Sequence, residues 1–120
     1  MPKVLLAEDD QTMVGLLTTL LRMDGFEVKA IDADADVLAA VERDFPEVVV
    51  LDVHLSRQNG LDVLEKIRRA DRDHRVRVIM ISGLNVKEES LRRGADGFLL
   101  KPFMPDDLMS MLRKNAGVRG

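Results

Sequence analysis

Short apolar runs alternate along this chain with stretches of helical period, and most of the runs end on a polar or charged residue. Val4-Leu5-Leu6-Ala7 leads straight into Glu8-Asp9-Asp10. Val48-Val49-Val50-Leu51 stops at Asp52, Val76 to Ile81 at Ser82, and Phe98-Leu99-Leu100 at Lys101. Phe26 to Ile31 is a further run of this kind. Runs this short, rich in β-branched residues, fit strands covered on both faces. Such strands need a layer of helices above and below them.

The intervening stretches supply those helices. From Gln11 to Asp24 the residues Met13, Leu16, Leu17, Leu20 and Leu21 recur at helical spacing, with Gly25 as a stop. Asp34 or Asp36 can cap a second helix through Val37, Leu38 and Val41, closed by Pro46. Leu61, Leu64 and Ile67 mark a third. Asp71 to Arg77 reads as a solvated charged loop containing His74, and Arg68-Arg69 and Arg92-Arg93 as solvated pairs. Glu88 to Arg93 suits a short fourth helix ended by Gly94. Leu108, Met111 and Leu112 give the last helix its buried stripe. Met104, Met109 and Met111 read as core or partner-facing filler rather than metal ligands. Five strands alternating with five helices predict a doubly wound α/β sandwich with a parallel sheet and right-handed crossovers.

Length and composition narrow the function classes. With 120 residues the chain fits a single domain, 1–120, with a core over about 3–114 and a flexible tail over 115–120. Four Phe and no Trp or Tyr leave an aliphatic core. The absence of cysteine excludes disulfides, thiolate metal sites and thiol nucleophiles, and suits a reducing, cytoplasmic setting. No apolar stretch approaches a membrane span, and the N-terminal run is too short for a signal peptide. A net charge of -3 argues against direct nucleic-acid binding.

The polar strand ends carry the chemistry. In a parallel sheet Glu8, Asp9, Asp52, Ser82 and Lys101 all fall at the carboxyl edge, where open α/β folds place their ligands. Three carboxylates against one ammonium leave a deficit of two charges, which one divalent cation cancels. Carboxylate and carbonyl oxygens suit Mg²⁺, or Mn²⁺, over softer metals. Taken alone, Glu8-Asp9-Asp10 would merely cap the first helix. The polar residues at the other strand ends favour a site.

In these residues the chain resembles the receiver domain of response regulators, the phospho-accepting half of two-component signalling. The resemblance runs from Val4 to about Arg113. It rests on Glu8-Asp9-Asp10, the segment Val48 to Gly60, Ile81-Ser82-Gly83, and Gly94-Ala95-Asp96-Gly97-Phe98 leading to Lys101-Pro102-Phe103. It implies a flavodoxin-like fold with strand order 2-1-3-4-5. It implies that Asp52 takes a phosphoryl group from the phosphohistidine of a sensor histidine kinase or phosphotransfer protein. Mg²⁺ would be held by Asp9, Asp52 and the backbone carbonyl of His54, with Glu8 acting through water. Lys101 and Ser82 would bind the phosphoryl oxygens. Ser82 and Phe98 would form the switch, Phe98 turning inward as Ser82 moves, and Pro102 would follow a cis bond. The output would pass to a downstream protein or to an output domain outside this chain.

Two features depart from the family pattern. Ser56 stands where a proline is common, which implies a less rigid loop around His54. The 19-residue interval from Ser82 to Lys101 is about one helical turn short, which implies a shortened or displaced fourth helix. Competing readings are weaker. An aspartate-nucleophile phosphatase needs a second acid where His54 stands, and turnover is not expected of this chain. A nucleotide switch needs a phosphate loop that is absent. A pseudo-receiver that is never phosphorylated would have no need of the full residue set.

Overall fold

The computed structural model describes residues 1–115. Its parallel sheet contains β1 (Lys3–Ala7), β2 (Glu27–Ile31), β3 (Val48–Asp52), β6 (Arg77–Ser82) and β7 (Gly97–Leu100), in the order β2-β1-β3-β6-β7. This is the order expected of the five main strands. A two-stranded antiparallel hairpin, β4 (His54–Leu55) with β5 (Gln58–Asn59), adds a feature the apolar pattern does not announce. The helices are α1 (Gln11–Met23), α2 (Val37–Asp44), α3 (Gly60–Ala70), α4 (Lys87–Arg92) and α5 (Pro105–Asn115). The flexible tail expected over 115–120 lies outside the described residues except for Asn115, which ends α5 and donates from its side chain to Met111 O.

Alternation along the strands divides the core into two layers. Val4, Leu6, Val48, Val50, Ile79 and Ile81 face α1 and α5, meeting Leu17, Leu21, Leu108 and Leu112. Leu5, Ala7, Val49, Leu51, Val78 and Met80 face the other way, onto Val37, Val41, Leu64 and Ile67 of α2 and α3. All five residues of β3 are buried, as a central strand covered on both faces requires.

Helix ends follow local chemistry. Asp10 caps α1 by accepting from the amides of Thr12 and Met13, and Asp36 caps α2 through Ala39 N–H. Asn59 caps α3 through Leu61 N–H. Gly25, at φ 94, closes α1 in the left-handed region that glycine tolerates. Phe45 closes α2 at φ 48, its N–H donating to Val41 O, and the following Pro46 cannot continue the helix.

α4 has six residues, in agreement with the short interval between Ser82 and Lys101. Two arginines expected to be solvated tie it down instead. Arg68 donates to Gly94 O, Val76 O and Asp96 Oδ2, each at 2.7 Å. Arg93 bridges Asp62, Glu65 and Glu89 across α3 and α4. The loop after α3 is likewise organised rather than merely solvated. Asp71 accepts from the amides of Arg75 and Val76, and His74 Nε2 lies 2.8 Å from Asp96 Oδ1. Partly buried main-chain groups at this end of the sheet, such as Val76 and Gly94, find their partners in these side chains. Among the methionines, Met109 and Met111 pack on the core while Met104 is exposed.

Candidate functional site

Parallel pairing carries the ends of β1, β3, β6 and β7 to one edge. Ala7 pairs with Leu51 and Asp52 with Ile81, so Glu8, Asp52 and Ser82 emerge within a residue of one another in register. Ser82 pairs with Leu100, which brings Lys101 to the same edge. The Lys101 ammonium donates to Asp52 Oδ2 at 2.6 Å and to Glu8 Oε1 at 2.8 Å. One carboxylate oxygen from each of Glu8, Asp9 and Asp52 lies within 4.8 Å of the other two.

Burial sets the electrostatics. Glu8 is 1 % exposed and Asp52 3 %, whereas Asp9 stands in solvent. Burial, reinforced by the neighbouring Asp52 carboxylate, pushes the Glu8 carboxyl up to about 7 against the pull of Lys101. Burial also pushes Asp52 up, but the Glu8 carboxyl, the Lys101 ammonium and the His54 amide together outweigh it and hold Asp52 below its usual value. Burial lowers Lys101, and its two carboxylate partners more than restore it. The cluster therefore keeps Asp52 ionised, with a nucleophilic oxygen, beside a group that holds a proton to neutral pH.

The donor set fits a hard divalent cation. Glu8 Oε2 is buried and has no hydrogen-bond partner once the carboxyl is ionised, so a cation that displaces its proton would find a free oxygen there. Carboxylate oxygens alone, with no nitrogen or sulfur among them, suit Mg²⁺ or Mn²⁺.

The loop after β3 completes the site. His54 is exposed, and its amide donates to Asp52 Oδ1 at 2.9 Å. Ser56 N–H donates to Asp9 Oδ2 at 3.0 Å, so the loop expected to be slack is anchored to the acid cluster. Gln58 fastens the loop's other side through Ala33 O and Ala35 O. Gly60 packs so closely that a Cβ there would overlap the Asp52 carbonyl oxygen. Ser82 is buried, and its Oγ accepts from Leu84 N–H at 3.0 Å, leaving its own proton free to be donated. Phe98 is 8 % exposed and joins the core layer under α3, so its ring already lies inward. The Lys101–Pro102 peptide is cis.

Residues 4–113 match the family model of the response regulator receiver domain. The chain belongs to the response-regulator receiver family. Curated relatives of this receiver include the DNA-binding response regulator MtrA of Mycobacterium tuberculosis, 32% identical over 114 residues, covering 92% of this chain and 49% of MtrA. The transcriptional regulatory protein CpxR of Klebsiella pneumoniae is 34% identical over 116 residues, covering 94% of this chain and 48% of CpxR. The chain thus spans about half the length of these relatives. Among solved structures, the receiver domain of the Francisella response regulator 1452 superposes with a TM-score of 0.87 at 27% identity, over 98% of each chain. A CheY-like receiver protein of Methanospirillum hungatei JF-1 gives 0.86 at 27% identity, over 98% of this chain and 94% of its own.

Sequence reasoning did not find the Ser56 amide, the Gln58 tether or the Arg68–Asp96 anchor. Each is a polar group satisfying a main-chain or carboxylate partner far away in sequence. Such pairs leave no periodicity to read.

Proposed function

We propose that this receiver accepts a phosphoryl group on Asp52 from a phosphohistidine and thereby changes its protein contacts. The observation that supports this most is the Lys101 ammonium shared between Asp52 and Glu8 at the carboxyl edge of the sheet. An Asp52 oxygen attacks phosphorus as the phosphorus–nitrogen bond to the donor imidazole breaks, and the imidazole leaves with the electron pair. Asp52 is positioned for this by the His54 amide on one oxygen and Lys101 on the other. The Lys101 side chain is 23 % exposed, whereas that of the acceptor it touches is 4 % exposed. After transfer its ammonium and the Ser82 hydroxyl neutralise the phosphoryl oxygens.

Glu8, Asp9, Asp52 and the backbone carbonyl of His54 would hold Mg²⁺ or Mn²⁺. When bound, the ion offsets the negative charge that nucleophile and phosphoryl group bring together. The chain modifies itself rather than turning over a substrate. Position 54 offers an amide to Asp52, and its exposed histidine is no second carboxyl acid of the phosphatase kind. The switch is carried by Ser82 and Phe98: Ser82 Oγ, which accepts from Leu84 N–H, turns its own proton to the phosphoryl oxygen, and the Leu84–Val86 segment and the buried Phe98 ring follow. No helix among the described residues is long and apolar enough to cross a membrane; action in the cytoplasm is part of this proposal. Donor and readout are a histidine kinase or phosphotransfer protein on one side, and a protein target or an output domain outside this chain on the other.

Incubation with acetyl phosphate and Mg²⁺ tests this reading. One acid-stable, base-labile phosphoryl group per chain is expected, and none with Asp52→Asn. Rapid phosphate release without accumulation of phosphoprotein would identify a phosphatase. A well-folded chain that takes up nothing would identify a pseudo-receiver.

A further inference from the structure

We infer that the backbone amide of Ser56 is a positioning group for the metal site, holding Asp9 in the orientation in which it can serve as a ligand. This rests on the metal site proposed above. Asp9 differs from its two acidic neighbours in having little around it. Glu8 and Asp52 are buried and held by Lys101, whereas Asp9 is exposed. The Ser56 N–H, 3.0 Å from Asp9 Oδ2, is the hydrogen bond that fixes its carboxylate among the described residues. In that fixed orientation a carboxylate oxygen of Asp9 stands within 4.8 Å of ligand oxygens on both other acids.

Released from this amide, an exposed aspartate would sample its other rotamers in water. The entropy of fixing it would then be charged against binding. An N–H to a carboxylate is also charge-assisted and orients the remaining lone pairs. Hydrogen bonds to ligating side chains commonly govern metal affinity by 10–100-fold.

The hairpin is built to present this amide. Leu55 pairs with Gln58, so Ser56 and Arg57 are the two turn residues and the ladder makes no use of Ser56 N–H. Neither residue has positive φ, as in a type I turn, whose first central position accepts proline. Leu55, in an extended strand, tolerates a following proline. Gln58 holds the hairpin against the β2–α2 segment through two main-chain carbonyls. The amide therefore reaches Asp9 from a fixed base, 47 positions along the chain.

Ser56→Pro deletes the donor, and Ser56→Ala keeps it while removing the hydroxyl. MgCl₂ titration of the ¹⁵N-labelled protein, followed by amide shifts around Glu8, Asp52 and Lys101, gives the dissociation constants. About tenfold weaker binding is expected for Ser56→Pro, with Ser56→Ala equal to the parent. Equal binding by parent and Ser56→Pro would overturn the inference and leave the phospho-acceptor reading standing. No Mg²⁺ binding by the parent would instead remove the metal site itself, and the inference with it. A second measurement does not depend on the proline variant folding. In the metal-free parent the Ser56 amide should resonate downfield and exchange slowly although the residue is exposed, and Asp9→Ala should abolish both. An ordinary, fast-exchanging Ser56 amide in the parent would also overturn the inference.

Discussion

Lys101 places one ammonium between two carboxylates that are otherwise buried against each other. Removing it leaves like charges face to face in a site with little water. Lys101→Ala should therefore cost about 2–4 kcal/mol in urea unfolding with EDTA at mildly alkaline pH. Saturating Mg²⁺ should recover much of the loss, because a divalent ion replaces the missing charge. Glu8 makes an opposing contribution of its own. Folded, it keeps its proton to about pH 7, against 4.5 for an ordinary glutamate. Between those values the folded chain binds more protons than the unfolded one, so metal-free stability falls as pH rises. The full shift corresponds to about 3 kcal/mol. Asp52, held below its usual 3.8, acts in the opposite sense and only in acid. Glu8→Gln should flatten the decline between about pH 5 and pH 8; an unchanged slope in EDTA would mean that Glu8 is not the titrating group.

At the scale of elements, the acceptor loop and the short helix α4 show where the sequence was readable and where it was not. Strand ends were legible because a buried strand must be continuously apolar, so the first polar residue marks its edge. The length of α4 was legible because the interval to Lys101 has little chain to spare. The β4–β5 hairpin escaped because its four strand residues carry no alternation that distinguishes them from a loop. Arg68 looked like half of a solvated pair because its partners, the Val76 and Gly94 carbonyls and the Asp96 carboxylate, all lie outside its own helix. Arg68→Ala removes three hydrogen bonds and should cost about 2–4 kcal/mol, read as a lowered urea midpoint, while Mg²⁺ affinity stays near the parent value. Gly60→Ala should lose stability on a comparable scale through overlap with the Asp52 carbonyl. Because that overlap falls on the acceptor's own backbone, phosphoryl uptake should fall as well. The pairing of these outcomes separates the two variants.

For the whole molecule, the sheet is a device for collecting dispersed residues. Glu8 and Lys101 lie 93 positions apart and meet only because parallel strands share an edge. A chain folded around an uncompensated acid cluster should gain stability from a cation that binds the native state alone, as RT ln(1 + [Mg²⁺]/Kd). Mg²⁺ should thus raise the thermal midpoint of the parent, and Asp9→Ala should lose most of that gain. The direct test of the account is the location of the phosphoryl group. After reaction with acetyl phosphate and Mg²⁺, borohydride reduction of the acyl phosphate and peptide mass spectrometry should find a single modified position, Asp52. Modification at another residue, or none in a chain shown to be folded and to bind Mg²⁺, would contradict it.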